Sequence, residues 1–224
     1  PADRHLGAYE GISVQIPEDI YPPREGKPAY MQKAATWNKG DDGLPHLRGR
    51  RRATGEFAGS RGKHGSDLTS WIRQYHQGVL ALDEAVGQLV ETLKSTGQYE
   101  NTLIVFTSDQ GFAWGQHGLR HKVAPYDASV RSPLIVSMPS KLPRGKVNNT
   151  PIGGVDLIPT FFQLAGIELP WEMHGRDMTP LLQNPETNWN RSLLTVHTAQ
   201  SYGSDTDIIP TDPALLYKTA NVPW

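Results

Sequence analysis

Cysteine is absent from the 224 residues, which excludes disulfide bonds, thiolate metal sites and a cysteine nucleophile within them while leaving the compartment open. No run of about 18 apolar residues occurs, so membrane insertion is not expected. The opening residues, Pro1-Ala2-Asp3-Arg4-His5, lack the charged-then-apolar order of a secretory signal. Net charge is missing too: 22 basic against 23 acidic side chains give −1. That balance offers no global attraction to nucleic acid or an anionic membrane, so an acidic substrate would have to be held by local clusters.

Breakers, by contrast, are plentiful, with 22 glycines and 18 prolines, and a hydrophobic content of 37% is enough for a core at this length. From residue 1 to about 66 they interrupt every candidate element, as at Tyr21-Pro22-Pro23 and Gly40 to Gly43. We expect an irregular excursion over the surface there, with a short helix near Tyr30 to Ala35. Its one charge run, Arg48-Gly49-Arg50-Arg51-Arg52 with Arg61 and Lys63 beyond, reads either as a solvated loop or as an anion-binding loop over a cleft.

Periodicity begins at residue 67. Asp67 or Thr69 can cap a helix whose apolar positions Trp71, Tyr75, Val79, Leu82, Val86, Leu89 and Leu93 recur at three- and four-residue spacing, ending near Thr96 at Gly97. Thr102 to Thr107 is short, β-branched and apolar on both faces, as a covered strand should be, and Pro133 to Met138 repeats the pattern. A glycine-ended helix over 154–166 and a strand over Leu193 to His197 follow. The alternation predicts an α/β fold, a mixed and mostly parallel sheet flanked by helices, over residues 67–224.

In such folds the chain leaves the carboxyl ends of strands as loops around a crevice. Asp109 and Gln110 occupy that position, followed by Gly111. A carboxylate and an amide carbonyl projecting together suit calcium or magnesium rather than zinc, although an ordinary turn favours the same residue types. The continuation is more specific: Gly115-Gln116-His117-Gly118, then Lys122, Tyr126, Arg131 and Pro133 before the next strand.

The run from Thr107 to Pro133 resembles the sulfatase family pattern Thr-Ser-Asp-(His/Asn/Gln)-Gly, Gly-Glu-His-Gly, Lys-x-x-x-Tyr-(Glu/Asp)-x-x-x-Arg-x-Pro, and supporting similarity extends over about residues 66–182. The resemblance implies an alkaline phosphatase-like fold and a sulfuric ester hydrolase. It implies calcium ligands at Asp109 and Gln110, and a sulfate contact at Lys122 near the leaving oxygen, where a compact ammonium stabilises developing charge. His117 reads either as an acid near the substrate or as a brace for its loop. His121 is solvent-facing or substrate-adjacent, while Tyr126, Asp127, Arg131 and Pro133 read as support for the loop carrying Lys122.

The family nucleophile is a formylglycine made from the first residue of Cys/Ser-x-Pro-x-Arg. Ser137-Met138-Pro139-Ser140-Lys141 only superficially resembles that motif, since it follows the second strand and ends in lysine. The expectation is therefore a carboxyl-terminal part of a catalytic domain, inactive without the remainder and short of the other calcium ligands. Sulfated glycans or small sulfate esters are the expected substrates, and the resemblance favours a periplasmic or secreted setting. Two other readings stay open: a phosphonate or phosphate ester hydrolase of the same superfamily, and a non-catalytic module that binds sulfated glycans through Arg48 to Arg52 and Lys63.

Overall fold

A computed structural model describes residues 1–33, 35–48, 67–122 and 124–195. The elements are β1 (Trp37–Lys39) and β2 (Pro45–Leu47) after helix α1 (Ala29–Gln32), then helix α2 (Leu68–Ser95), β3 (Ile104–Thr107), β4 (Ala113–Trp114) and β5 (Arg120–His121). Helix α3 (Asp127–Val130), β6 (Leu134–Ser137), α4 (Leu157–Ala165) and α5 (Thr179–Gln183) complete the order. The chain divides into two units, one of Pro1–Leu89 with Ser108–Pro133, the other of Val90–Thr107 with Leu134–Val196.

Helix α2 starts in the first unit, where Asp67 caps it with Oδ1 accepting the Ser70 N–H at 2.9 Å, and ends in residues of the second, where Gly97 at φ +70° leaves it after its last turn. Gln77, buried within α2, donates to the carbonyls of Leu6 and Ala8 at 2.8 and 2.9 Å and so ties down the amino-terminal segment. Two clusters form the core. One joins Ile20, Trp37 and Leu68, the other Met31, Ala113, Leu119 and Ala124. The Trp37 indole donates to the Leu119 carbonyl at 3.1 Å and links the two.

The excursion expected over residues 1–66 is therefore not confined to the surface, because Ile20, Met31 and Trp37 are fully enclosed. Isolated apolar residues between proline turns reach a core without any period that a sequence pattern registers. The expected short helix is α1; residues 49–66, which hold most of the arginine run, lie outside the described residues.

The expected core face of α2 differs as well. Tyr75, Val79, Leu82 and Leu89 stay exposed, and Leu68 and Gln77 are the helix's buried positions. A three-to-four spacing of apolar residues fixes that a helix has an apolar stripe, not what covers it.

In the second unit β3 pairs antiparallel with β6, Ile104 opposite Ser137 and Thr107 opposite Leu134. The α/β character stands, but the mostly parallel arrangement is not seen: each of the three strand pairs among the described residues is antiparallel. Nor is β3 enclosed on both faces, since Ile104, Val105 and Phe106 are half-buried and Ile135 of β6 is exposed. A tight turn over Gly154–Asp156 opens α4, and Gly166 at φ +72° ends it. Met178, Leu181 and Trp189 form the core there, with Leu134, Ile152, Leu157 and Leu182 packed on them. Asp156 is fully buried and accepts the N–H groups of Gly153 and Arg176 at 2.9 and 2.8 Å while pairing with the Arg191 guanidinium. The strand expected from Leu193 is not present over Leu193 to Thr195, where Leu194 is exposed; Val196 and His197 lie outside the described residues.

Candidate active site

The chain leaves β3 at Thr107 and turns at once. Asp109 Oδ1 accepts the Gln110 N–H at 2.8 Å and the Ser108 hydroxyl at 3.2 Å, so the carboxylate organises its own turn. Gly111 then runs against the end of α3: its N–H donates to the Ser129 carbonyl at 2.9 Å, and a Cβ at this position would lie 2.3 Å from the Ala128 carbonyl oxygen and 2.4 Å from that of Arg131. Only glycine allows this approach. The turn is thereby docked rather than merely permitted.

From there β4 and β5 form a short hairpin, with Ala113 opposite His121 and Trp114 opposite Arg120. Gly115 at φ +99° and Gly118 at φ +72° shape its tip. The return strand delivers Lys122 back to the turn, where Nζ donates to Asp109 Oδ2 at 2.5 Å. The pair is open to solvent, the side chains being 36% and 68% exposed. The Lys122 ammonium, helped by the Gln110 N–H, holds the Asp109 carboxyl below the usual carboxylate range.

His117 sits at the hairpin tip with φ +58°, an uncommon backbone for a residue with a side chain. Its N–H donates to Asp19 Oδ1 at 2.9 Å, and its Nδ1 lies 2.5 Å from Asp19 Oδ2. The other side of the ring packs on Tyr126, centroids 4.4 Å apart, and Lys27 Nζ lies 4.5 Å from the centroid of that tyrosine. Partial burial would raise the Asp19 carboxyl, but its bonds to His117 outweigh this and leave it below the usual range. His121, at φ +71°, places its ring 5.2 Å from Phe112 and 6.5 Å from Trp71.

Of the residues that the sequence singles out, Asp109, Gln110 and Lys122 are brought together, while His117 and His121 lie on the same hairpin in separate surroundings. Tyr126 supports His117 directly. The Arg131–Asp127 pair, 3.9 Å apart and exposed on both sides, adds little. Asp19 and Arg24 escape a sequence reading. Both stand in an aperiodic, proline-rich stretch, and no spacing connects Asp19 to a histidine 98 positions away.

Asp109 and Gln110 offer oxygen donors only, the chemistry of a hard divalent cation. Among the described residues no group of three histidine, aspartate or glutamate side chains could hold an ion. The donor chemistry of the two residues fits part of a ligand set and is too little to hold an ion by itself.

A family model described as Sulfatase matches residues 25–167. The N-acetylglucosamine-6-O-sulfatase of Bacteroides thetaiotaomicron is 35% identical over 156 residues, 70% of this chain and 25% of that protein. The Ulvan-active sulfatase of Formosa agariphila is 31% identical over 135 residues, 59% of this chain and 26% of that protein. Among solved structures, one in complex with its substrate D-glucosamine-2-N,6-O-disulfate superposes with a TM-score of 0.62 at 28% identity, over 85% of this chain and 47% of that one. The phosphonate monoester hydrolase SpPMH from Silicibacter pomeroyi gives a TM-score of 0.51 at 32% identity, over 55% of this chain and 24% of that one. The chain spans about a quarter of the length of these curated relatives.

Proposed function

The chain belongs to the sulfatase family, and from that premise we propose that the protein hydrolyses sulfate esters, with these residues carrying one side of the reaction centre. The observation that carries the reading is the return of Lys122 to within 2.5 Å of Asp109 at the exit of β3. An ammonium in that position can meet the oxygens of a sulfate group and stabilise the negative charge that builds as the ester S–O bond breaks. Asp109 and Gln110 would hold calcium, magnesium being the other candidate. Such an ion, when bound, neutralises sulfate oxygens as a Lewis acid. His117, held by Asp19 and packed on Tyr126, either carries a proton near the substrate or braces its loop, and His121 faces either the substrate or solvent.

The nucleophile is a formylglycine that these 224 residues do not contain, since no Cys/Ser-x-Pro-x-Arg motif is present. The rest of the catalytic centre must then be supplied for turnover. A sulfated glycan is the proposed substrate, supported by the 6-O-sulfatase relative and by the neighbour bound to a disulfated glucosamine. A secreted or periplasmic location fits a relative named as an extracellular sulfatase in Drosophila melanogaster. No described helix is long and apolar enough to cross a membrane.

The test is sulfate release from 4-nitrocatechol sulfate and from glucosamine 6-sulfate by the full-length protein matured with a formylglycine-generating enzyme, beside Asp109→Ala and Lys122→Ala. We expect release from the parent and a loss on the order of 100-fold or more in each folded variant. The likeness to the phosphonate monoester hydrolase supports a second reading: turnover of phosphonate or phosphate esters, with no sulfate released, would replace the first.

A further inference from the structure

The ladder that aligns β4 with β5 is two residue pairs long, Ala113 with His121 and Trp114 with Arg120. So short a hairpin does not hold itself together in water, and a slip of one residue would turn every side chain of β5 to the other face. Lys122, which follows His121 directly, would then leave Asp109. The register that joins the two must be fixed from outside the hairpin.

Residues 19–37 meet its loop at successive positions. Ile20 fills the space beside Gly115, where a Cβ would come within 2.7 Å of Cδ1. Asp19 Oδ1 accepts the His117 N–H at 2.9 Å, and the Trp37 indole donates to the Leu119 carbonyl at 3.1 Å. Between these anchors lies Arg24, the largest of the fully buried side chains. Its guanidinium donates to the carbonyls of Asp19 and Ile20 at 2.8 Å and of Met31 at 2.5 Å. The backbone of Arg24 is held in turn by Gln32 of α1, whose side chain accepts the Arg24 N–H at 2.7 Å and donates to the Arg24 carbonyl at 2.5 Å. So fixed, the guanidinium lies against Gly118, where a Cβ would stand 1.8 Å from Nη2 and 2.3 Å from Cζ. Gly118 is two positions ahead of β5.

Burying a guanidinium costs desolvation energy that a methionine or leucine of similar reach would not, so filling volume does not explain the residue. A planar fork does what a flexible apolar chain cannot: once three carbonyls accept it, its place is set, and whatever packs on it is set too. We infer that Arg24 is a positioning residue for Lys122, seating Gly118 and thereby fixing the register in which the hairpin returns the ammonium to Asp109. Its consequence for turnover rests on the sulfate ester reading above.

Carbodiimide coupling, which joins a carboxylate to an amine at contact distance, reads this geometry without turnover. In the full-length protein stripped of divalent ions by a chelator, Asp109 should couple to Lys122, and Glu91 to Lys94, an exposed pair 2.8 Å apart within α2. Arg24→Met should cut the first product to about a tenth and leave the second unchanged. In the matured protein Arg24→Met should lower kcat for 4-nitrocatechol sulfate on the order of 30-fold, but less than about twofold when Lys122 is already replaced by alanine, because both changes remove one interaction. Undiminished coupling of Asp109 to Lys122, or the same loss of kcat on the Lys122→Ala background, overturns the inference. If Arg24→Met abolishes the Glu91–Lys94 product its fold is lost, and Gly118→Ala, which disturbs the same contact from the hairpin side, decides by the same two measurements. A parent that releases no sulfate refutes the function proposed above, and the coupling yields then decide the register by themselves.

Discussion

Lys122 and Asp109 stand 13 positions apart in the chain, yet their ammonium and carboxylate meet at 2.5 Å. The hairpin of β4 and β5 causes this by returning the chain to the turn from which it left. The pair couples two roles, because the carboxylate that suits a cation is already answered by a side chain that suits a sulfate.

That coupling sets an expectation for metal binding by this chain. Calorimetric titration with calcium should give weak binding, Lys122→Met should tighten it by about threefold, as suits the removal of an exposed competitor, and Asp109→Ala should abolish it. If Lys122→Met binds no better than the unaltered chain, the ammonium and the ion do not compete for Asp109.

The acid side of the stability profile should carry the mark of Asp19. Its carboxyl sits below the usual range in the folded protein because His117 donates to it against the effect of partial burial, so the folded state favours the ionised form. The contribution is complete above the unfolded value of about 4 and is lost as pH falls through the depressed folded value. In urea denaturation the gap between the unaltered chain and Asp19→Asn should be constant from pH 5 to 6 and narrow toward pH 2.5. A gap that widens on acidification would contradict the hydrogen-bond geometry.

Asp156 is the stability hinge of the second unit. Replacing it with alanine strands the N–H groups of Gly153 and Arg176 and leaves Arg191 without its carboxylate. Losing a buried charge partner and two bonds to a charged acceptor should cost roughly 3–5 kcal/mol. Denaturant unfolding followed by far-ultraviolet circular dichroism would reveal it. A loss below about 1 kcal/mol would mean that the carboxylate carries little.

Two glycine substitutions should move in opposite directions. Gly111→Ala drives a Cβ into the Ala128 and Arg131 carbonyls; the docked turn must open, costing roughly 1–3 kcal/mol and displacing Asp109 from Lys122. Gly87→Ala, exposed within α2 with nothing within 4 Å of the new Cβ, should stabilise by about 0.5–1 kcal/mol. Thermal denaturation of the two variants reads both signs, and a stabilising Gly111→Ala would refute the close approach.

Much of the local structure was legible. Asp67 and Gly97 bound α2, apolar runs gave β3 and β6, and Gly166 closes α4, because caps, left-handed exits and strand-length apolar runs are properties of a few neighbouring residues. The resemblance to the sulfatase pattern implied one site for Asp109 and Lys122, and the hairpin brings the two side chains together. Asp19 was not legible. A lone aspartate between Glu18 and Ile20 carries no pattern, and its partner is set by how a proline-rich segment packs under Arg24.

By itself, then, the sequence determined α2, β3, β6 and α4 and the residues at which α2 and α4 stop, since each depends on short-range sterics and period. Only the tertiary structure decided that β3 and β6 run antiparallel, that Tyr75, Val79, Leu82 and Leu89 of the α2 stripe stay exposed, and that His117 is held by Asp19. Those outcomes depend on which distant groups are left to satisfy one another once the chain has packed, and no local spacing records them.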